Sequence, residues 1–465
     1  MADFRTDETL TLRRFRTGLI GCFGRWSDTL FELCDAVLCT PNPVTSVPTL
    51  SLEPEFRRSH GSLYKALHFG HINFDALRGL LVANLPVTDR RVLAVDASTW
   101  DRCDAETSPE RGFYYSASKH SAGQPIVAGW SYQWISQLDF TPNSWCAPAD
   151  VLRIPPTANT TNATIDQVRH LVDLLNDPTP PILVFDAGYD PIAISHELAD
   201  CPVEILVRIR DDRVFFRRPP AKPDRPAHTG GRPPRHGTRH KCSDPTTWAE
   251  PDQTRTTTDT RYGNITIDAW SQLHPRLGHR GHWTDHETLP IVEGTIIRVE
   301  VEHLPKPTSR TKKTLWLWWS GPGQPDLELC ARAYLRRFDI EHSFRFAKNT
   351  LGWVTPSVCT PEQADRWTWI IAAAYTQLRL ARHLIADLRL PWERPRKPHQ
   401  LSPARIRRAV SYTHLRAHET VLDLVYRLLL EKKKTQTHMK CRVCHSHTHT
   451  HSQHIHKFRP HMVST

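Results

Sequence analysis

The chain has 465 residues, and its 60 Lys and Arg residues against 49 Asp and Glu residues give a net charge of +11 with neutral histidines. That length suits two or three domains, and the basic balance suits a polyanionic partner, most simply nucleic acid. The eleven cysteines lack disulfide-like spacing, no signal-peptide pattern opens the chain, and no apolar stretch is long enough to span a membrane. These features predict a cytoplasmic protein without a membrane partner.

The N-terminal part, residues 1–87, is predicted to be a helical domain with a Pro-rich loop, TPNPVTSVPTLSLEP. Near its end, RRSHGSLYKALHFGHINFDALRGLLVANL predicts two short amphipathic helices around HFGHIN. This arrangement resembles a helix-turn-helix, which would make residues 1–87 a DNA-binding domain. Any small helical domain gives the same pattern, so a purely structural role is the alternative.

The next part, residues 88–210, is predicted to alternate strands and helices. RVLAVDAS predicts a strand with Asp96 at its C-terminal end, and PPILVFDAGYD predicts a buried strand that ends in Asp186. GFYYSAS, PIVAGWSYQWISQLDF and VEILVRI predict further strands, and TIDQVRHLVDLL and IAISHELAD predict helices. This order indicates an α/β layer architecture.

Residues 211–314 interrupt that alternation and are predicted to be a β-rich insertion. GTIIRVEVEHL and KTLWLWWSG predict its strands, and the tryptophans of the second segment are most simply its core: Trp316, Trp318 and Trp319. The Pro- and Arg-rich loop 217–241 is either a tether or an arm that contacts phosphates.

Residues 315–395 are predicted to be the second part of the α/β domain, and residues 396–410 a basic extension. YLRRFDIEHSFRFAKNTLGW has no internal Gly or Pro before Gly352, so it predicts a continuous helix from Asp326 to Thr350. At about 100° per residue, one arc of about 60° carries an aromatic ring, two cations and an acid. These residues are Tyr334, Arg337, Lys348 and Glu341.

Two interpretations of that helix face differ in what Glu341 does. The simpler one is a solvated face on which Arg337 and Glu341 form an i,i+4 pair worth about 0.3–0.5 kcal/mol. The other is that Glu341 joins Asp96 and Asp186 in one site. The ends of neighbouring strands share a crevice, and a helix packed across it can bring a third carboxylate. Three converging carboxylates need compensating cations, and Mg²⁺ prefers such oxygen ligands.

Nearby polar residues are assigned other roles. Asp101 and Asp104 are predicted to lie past the strand in a polar turn at the surface. Asp190 is predicted to cap the following helix. His342 adjoins Glu341 but points about 100° away from it, which favours a structural role.

The order Asp, Asp, Glu resembles the DDE transposases of bacterial insertion sequences, which have an RNase H-like catalytic domain. The spacing Tyr334-x2-Arg337-x3-Glu341-x6-Lys348 matches that family's Tyr-Arg-Glu-Lys signature, and LAVDAST and VFDAGYD resemble its two Asp motifs. The β-rich insertion, in a gap of 155 positions between Asp186 and Glu341, is also typical of this branch. The resemblance covers roughly residues 15–395.

The resemblance implies an α/β fold with an RNase H-like catalytic domain, a β-rich insertion and a helical N-terminal domain. It also implies cleavage at the terminal inverted repeats of an element and strand transfer to target DNA, both double-stranded, by a homodimer in the bacterial cytoplasm near the nucleoid. Asp96, Asp186 and Glu341 would be catalytic and would bind two Mg²⁺ ions, or Mn²⁺ in their place. The implied DNA-binding residues are Tyr334, Arg337, Arg345 and Lys348.

Two alternatives to an active transposase follow from the same residues. The first is a catalytically inactive or domesticated derivative that only binds DNA. The second is an RNase H-like nuclease that cuts without joining strands.

The last part of the chain, residues 411–465, resembles sequencing-library read-through. SYTHLRAHET is what the bases of a sequencing adapter would encode, and HSHTHTHSQHIH is what an AC repeat would encode. The pair CRVC with neighbouring histidines would otherwise indicate zinc, and we discount it in this low-complexity setting. We therefore predict a non-native tail against which the rest of the chain does not pack.

Overall fold

A computed structural model describes residues 2–115, 124–219, 234–305, 307 and 312–415, with side chains described from residue 7 to residue 411. The α-helices of these residues are α1 Ala2–Cys22, α2 Ser27–Cys39, α3 His60–Phe69, α4 Phe74–Ala83, α5 Thr160–Leu175, α6 Pro191–Glu197, α7 Leu327–Arg337, α8 Asp339–Asn349, α9 Pro361–Ala381 and α10 Pro403–Leu415. Among the described helices, none combines the length and the apolar character that a membrane crossing requires.

The strands of the described residues form one mixed sheet. They are β1 Val92–Asp101, β2 Gly112–Tyr115, β3 Ile126–Leu138, β4 Cys146–Ile154, β5 Ile182–Phe185, β6 Glu204–Ile209, β7 Val214–Phe216, β8 Arg239–Lys241, β9 Gln253–Asp259, β10 Gly263–Pro275, β11 Gly294–Val301 and β12 Thr314–Ser320. Their order is β2-β3-β1-β5-β6-β12-β11-β10-β7-β8, with β4 on β3 and β9 on β10. The predicted α/β class is confirmed.

The three central strands, β1, β5 and β6, are parallel and covered on both faces. Strands buried on both faces read as continuous apolar runs, which is why VLAV and ILVF contain no polar residue. Alternate side chains enter two cores. Val92, Ala94, Ile182 and Val184 enter a first core with α7, α8 and α9, whereas Leu93, Val95, Leu183 and Phe185 enter a second core with α5 and α6.

The strands predicted for the insertion are present, and they extend the same sheet. β12 pairs antiparallel with β6, from Trp316 opposite Ile209 to Ser320 opposite Ile205. Trp316 and Trp318 pack in a third core of the insertion, as predicted, but Trp319 belongs to the first core and its Nε1 donates to Glu204 Oε2 at 3.1 Å. Successive strand residues point to opposite faces, so Trp319 could not join its neighbours.

Two predicted element boundaries are wrong. β1 does not end at Asp96, because its antiparallel pairing with β3 continues to Asp101 although its parallel pairing with β5 stops at Val95. The helix predicted from Asp326 to Thr350 is two helices, with Phe338 between them. The break places Asp339 in the first turn of α8, where a carboxylate is favoured, and Arg336 pairs with it at 2.6 Å.

The N-terminal helices share the first core with the sheet. Arg16 of α1 pairs with Asp35 of α2 at 2.7 Å, and both side chains are buried. Arg78 of α4 donates to Asp150 Oδ1 of β4 at 2.7 Å, so one face of the second helix of the predicted helix-turn-helix packs against the sheet. DNA contact by residues 1–87 stays a prediction.

The end of the described chain overlaps the first five residues of the predicted tail. Helix α10 continues to Leu415, and Ser411, the first residue of the predicted tail, is buried, with its hydroxyl donating to the Arg408 carbonyl at 3.1 Å. Residues 416–465 lie outside the described residues, as do residues 220–233 of the basic loop. Ser411 therefore packs against the rest of the chain, and the prediction of a non-native tail stays a prediction.

Truncation should separate the helix from the tail. Deleting residues 416–465 should shift the midpoint of thermal unfolding by less than about 2 °C, because a change of 1 kcal/mol moves it about 2–4 °C in a large domain. Deleting α10 as well would remove the buried Ile406, Ala409 and Val410, and each large apolar side chain lost from a core costs about 2–5 kcal/mol. Circular dichroism on heating measures both. A first truncation that unfolds would show that the tail belongs to the fold.

Candidate active site

The two aspartates of the candidate site lie just past the paired stretch of two parallel strands, at the same level. β1 and β5 are paired up to Val95 opposite Phe185, so Asp96 and Asp186 are the next residues on each side. Val95 and Phe185 both point into the second core. Because side chains alternate along a strand, Asp96 and Asp186 point to the other face, where α7 and α8 lie.

Helices α7 and α8 bring the signature residues onto these aspartates. The Tyr334 hydroxyl donates to Asp186 Oδ1 at 3.2 Å, and Arg337 Nη1 donates to Asp96 Oδ2 at 2.9 Å. The other arm of the same guanidinium, Nη2, donates to Glu341 Oε1 at 3.0 Å. The i,i+4 pair predicted from spacing alone is thus present, and it is part of a larger cluster that contains the acids of both strands.

Charge in this cluster is only partly compensated. Burial raises the pKa of Asp96 and of Glu341, Arg337 opposes that shift in both, and the nearby Asp186 adds to it. Burial disfavours the charge of Arg337, but Asp96 and Asp186 outweigh it and raise its pKa. Burial and Asp186 raise the pKa of Tyr334 to about 12, so its hydroxyl stays protonated and donates at neutral pH. The Arg337 guanidinium therefore bonds two of the three carboxylates, Asp96 and Glu341, and interacts with the charge of the third, Asp186.

Comparison with known proteins gives the family. The family model described as "DDE superfamily endonuclease" matches residues 18–276, which is more than half of the chain. The chain belongs to the DDE superfamily of endonucleases. This confirms the predicted family; the matched segment contains both aspartates and ends before Glu341.

One solved structure similar to this DDE-family chain is the "Cryo-EM structure of piggyBac transposase synaptic complex with hairpin DNA (SNHP)". It is 11% identical, with 84% of this chain and 72% of that chain covered and a TM-score of 0.39. No curated protein sequence matches the chain.

The donor set fits a hard divalent cation. Carboxylate oxygens are its preferred ligands, and Asp96, Asp186 and Glu341 supply them from three elements around a site short of positive charge. Their oxygens do not yet lie as close together as a ligand shell: within the described residues, the group whose ligand atoms lie within 4.8 Å of one another is a different one. Arg337 stands between Asp96 and Glu341, and the carboxylates would draw inward to share an ion.

The predicted DNA-binding side chains occupy different surroundings. Arg337 is largely buried and pairs with two of the carboxylates, and it also lines the cleft beside Tyr334. Lys348 Nζ donates to the Thr99 carbonyl at 2.8 Å and lies 5.5 Å from the ring centroid of Trp353. Arg345 is exposed on α8. The DNA-binding roles of these residues stay predictions.

The predicted helix cap by Asp190 is confirmed, since its Oδ1 accepts from Ile192 N and Ala193 N.

Sequence reasoning missed Arg208. β5 and β6 are paired up to Phe185 opposite Val207, which places Arg208 beside Asp186 at the same level and on the same face. Arg208 is exposed and lines a cleft of about 930 Å³ with Arg210, Lys312 and Tyr334. The signal was the end of VEILVRIR, where one arginine near the end of an apolar strand and a second just past it have a spacing of two.

Proposed function

We propose that this DDE-family chain is a transposase that cleaves DNA at the ends of an element and joins the freed 3′-hydroxyls to target DNA, acting as a homodimer. The observation that carries the proposal is the convergence of Asp96, Asp186 and Glu341 around Arg337 and Tyr334, within a chain of this family. Residues 1–87 would contribute to DNA binding, and the insertion would border the cleft.

Each residue of the site has a distinct task in this proposal. Asp96, Asp186 and Glu341 would hold two divalent ions, Mg²⁺ or Mn²⁺. Two such ions, when bound, activate an attacking oxygen and stabilise the leaving one. Arg337 holds Asp96 and Glu341 at fixed positions through its two arms, and Tyr334 orients Asp186 by its hydrogen bond. Arg345 and Lys348 would contact the DNA backbone.

The basic cleft beside Asp186 would receive the DNA strand. Arg208, Arg210 and Lys312 line it together with Asp211 and Asp212. Arg210 pairs with Asp212 and Lys312 pairs with Asp211, so Arg208 is the cation that we expect to contribute most to neutralising phosphates. Arg208→Ala should weaken DNA binding and reduce the slope of log affinity against log salt by about 1. The matched control is Arg169→Ala, since Arg169 lies on α5 at the other face of the sheet and pairs with Asp200. Fluorescence anisotropy across a salt series measures both; equal loss in the two variants would contradict the assignment of the cleft.

Metal affinity should depend on pH. Burial raises the pKa of Asp96 and Glu341, so both carboxyls hold their protons to a higher pH than free side chains with pKa values of about 3.9–4.3. Protons therefore compete with metal as the pH falls through these raised values. Titration of Mn²⁺ by electron paramagnetic resonance between about pH 4 and pH 8 should show affinity falling before the ordinary carboxylate range is reached. Constant affinity down to about pH 4 would contradict the site.

The function is tested by assaying cleavage and joining together. The full chain with Mg²⁺ is mixed with labelled DNA taken from the sequences that flank its gene, which would carry the inverted repeats, and with a supercoiled target. We expect cut ends and covalently joined products that both disappear when Mg²⁺ is chelated. Cleavage without joining would identify a nuclease, and binding without cleavage would identify an inactive derivative; either would overturn the proposal.

A further inference from the structure

A second group of metal-ligating side chains lies away from the carboxylate site. Ligand atoms of His196, Glu197 and His286 all lie within 4.8 Å of one another. His196 and Glu197 are at the C-terminal end of α6, and His286 belongs to the segment between β10 and β11. All three are half-buried. The group thus joins a helix beside the central strands to the insertion.

Neighbouring side chains hold this group in place. His282, four residues before His286, has its Nε2 at 3.0 Å from Glu197 Oε1. Trp283 is buried in the core of the insertion, and its ring centroid lies 5.3 Å from that of His196, 4.9 Å from that of His282 and 5.1 Å from that of His286. The indole therefore anchors the segment and contacts all three imidazole rings.

We propose that His196, Glu197 and His286 bind one zinc-type transition-metal ion, with His282 orienting the Glu197 carboxylate. Two imidazoles and one carboxylate form a known zinc donor set, whose fourth position water fills. Mg²⁺ prefers oxygen ligands alone and would not compete here. Zn–N bonds of 2.0–2.1 Å place tetrahedral ligand atoms about 3.4 Å apart, so each ligand atom would have to move by only about 1 Å to bind the ion.

The pairing of His282 with Glu197 does not by itself account for this geometry. A surface ion pair needs two partners, whereas here two further imidazoles, from His196 and His286, approach the same carboxylate from two elements. A bound ion would fasten the segment from residue 276 to residue 293, which contains no β-strand, to α6. Since α6 starts just after Asp190, four residues beyond Asp186, the ion would also brace the segment that carries Asp186.

Histidine footprinting tests the site in the full chain. Diethyl pyrocarbonate modifies free imidazole nitrogens, and mass spectrometry of peptides scores each histidine separately. Zinc held by the His-rich C-terminal sequence therefore does not enter the result. At free Zn²⁺ about tenfold above its dissociation constant, modification of His196 and His286 should slow about tenfold. Mg²⁺ should have no effect, and the exposed His279 of the same segment should react equally with and without zinc.

Variants decide whether the three residues act as one site. Glu197→Gln keeps the size of the side chain and should abolish zinc protection of His286, as should His196→Ala. His279→Ala should leave that protection unchanged. Circular dichroism checks that each variant is folded. If His196→Ala does not fold, Glu197→Gln alone provides the test. Equal modification of His286 with and without zinc in the folded wild-type chain would overturn the proposal, as would equal protection by Mg²⁺. Neither result depends on the transposase reaction.

Discussion

Glu341→Gln should reduce metal-dependent DNA cleavage by about a thousandfold or more, and Asp96→Asn and Asp186→Asn should do the same. Loss of one carboxylate removes a charged metal ligand, and charge stabilisation of this kind contributes several kcal/mol at about 1.4 kcal/mol per factor of ten in rate. Gln keeps an oxygen that can accept from Arg337, so the fold should persist. DNA affinity should change no more than about threefold, because phosphate contacts supply most of it.

The control for these variants is Asp190→Asn, in the same loop as Asp186. Asp190 caps α6 through Oδ1, and Asn caps a helix about as well, so this variant should cleave at the wild-type rate. Cleavage with Mg²⁺ is followed on labelled end DNA, beside binding in Ca²⁺ or chelator. Substantial cutting by the Glu341→Gln protein would remove Glu341 from the mechanism, and equal loss in Asp190→Asn would indicate a disturbed loop instead.

What the sequence predicted well depends on local periodicity. The apolar runs before Asp96 and Asp186 define buried strands, and the two carboxylates come together because the parallel pairing of those strands stops directly before them. The i,i+4 spacing of Arg337 and Glu341 survives the break at Phe338, since Arg337 still bonds Glu341 at 3.0 Å. Predicting these features requires only the periodicity of a strand or a helix.

What the sequence could not predict depends on contacts between distant residues. Arg337 was assigned to phosphates, and the structure pairs it with Asp96, 241 positions away. Arg208 was passed over because its place beside Asp186 follows from the pairing of β5 with β6. No periodicity specifies which strands are neighbours, so β12 next to β6 was equally hidden.

The histidine cluster shows the same limit. His282 and His286 have a spacing of four, and His196 precedes Glu197, but each pattern is common and predicts nothing alone. The contact between His282 and Glu197 spans 85 positions. The packing of Trp283 in a core that also contains Ile192 and Ala193 of α6 brings the two patterns together.

Arg337→Ala should lower the free energy of unfolding of the metal-free protein by roughly 2–3 kcal/mol. Removing one partner from a buried ion pair costs about 3–5 kcal/mol because the remaining charge is uncompensated. The Arg337 side chain is 8% exposed, but those of Asp96 and Glu341 are 19% and 37% exposed, so water reduces that cost. Mg²⁺ should restore part of the loss, because an ion that binds only the folded state stabilises it and can compensate the same carboxylates.

The dependence on pH separates this role of Arg337 from a phosphate contact. Without the guanidinium, the pKa values of Asp96 and Glu341 should rise further above those of the unfolded chain. Carboxyls with raised pKa values destabilise the fold once they ionise, so the defect should be largest near neutral pH and shrink as the pH falls toward about 4. Urea unfolding at about pH 5 and pH 8 measures this, with Arg345→Ala as the control because Arg345 is exposed on the next helix. If Arg337 only contacted phosphates, as is proposed for Arg345, each of the two substitutions would weaken DNA binding and leave the stability of the free protein unchanged. Equal stability of Arg337→Ala and Arg345→Ala would therefore contradict the structural role of Arg337 and support its assignment as a DNA-binding residue.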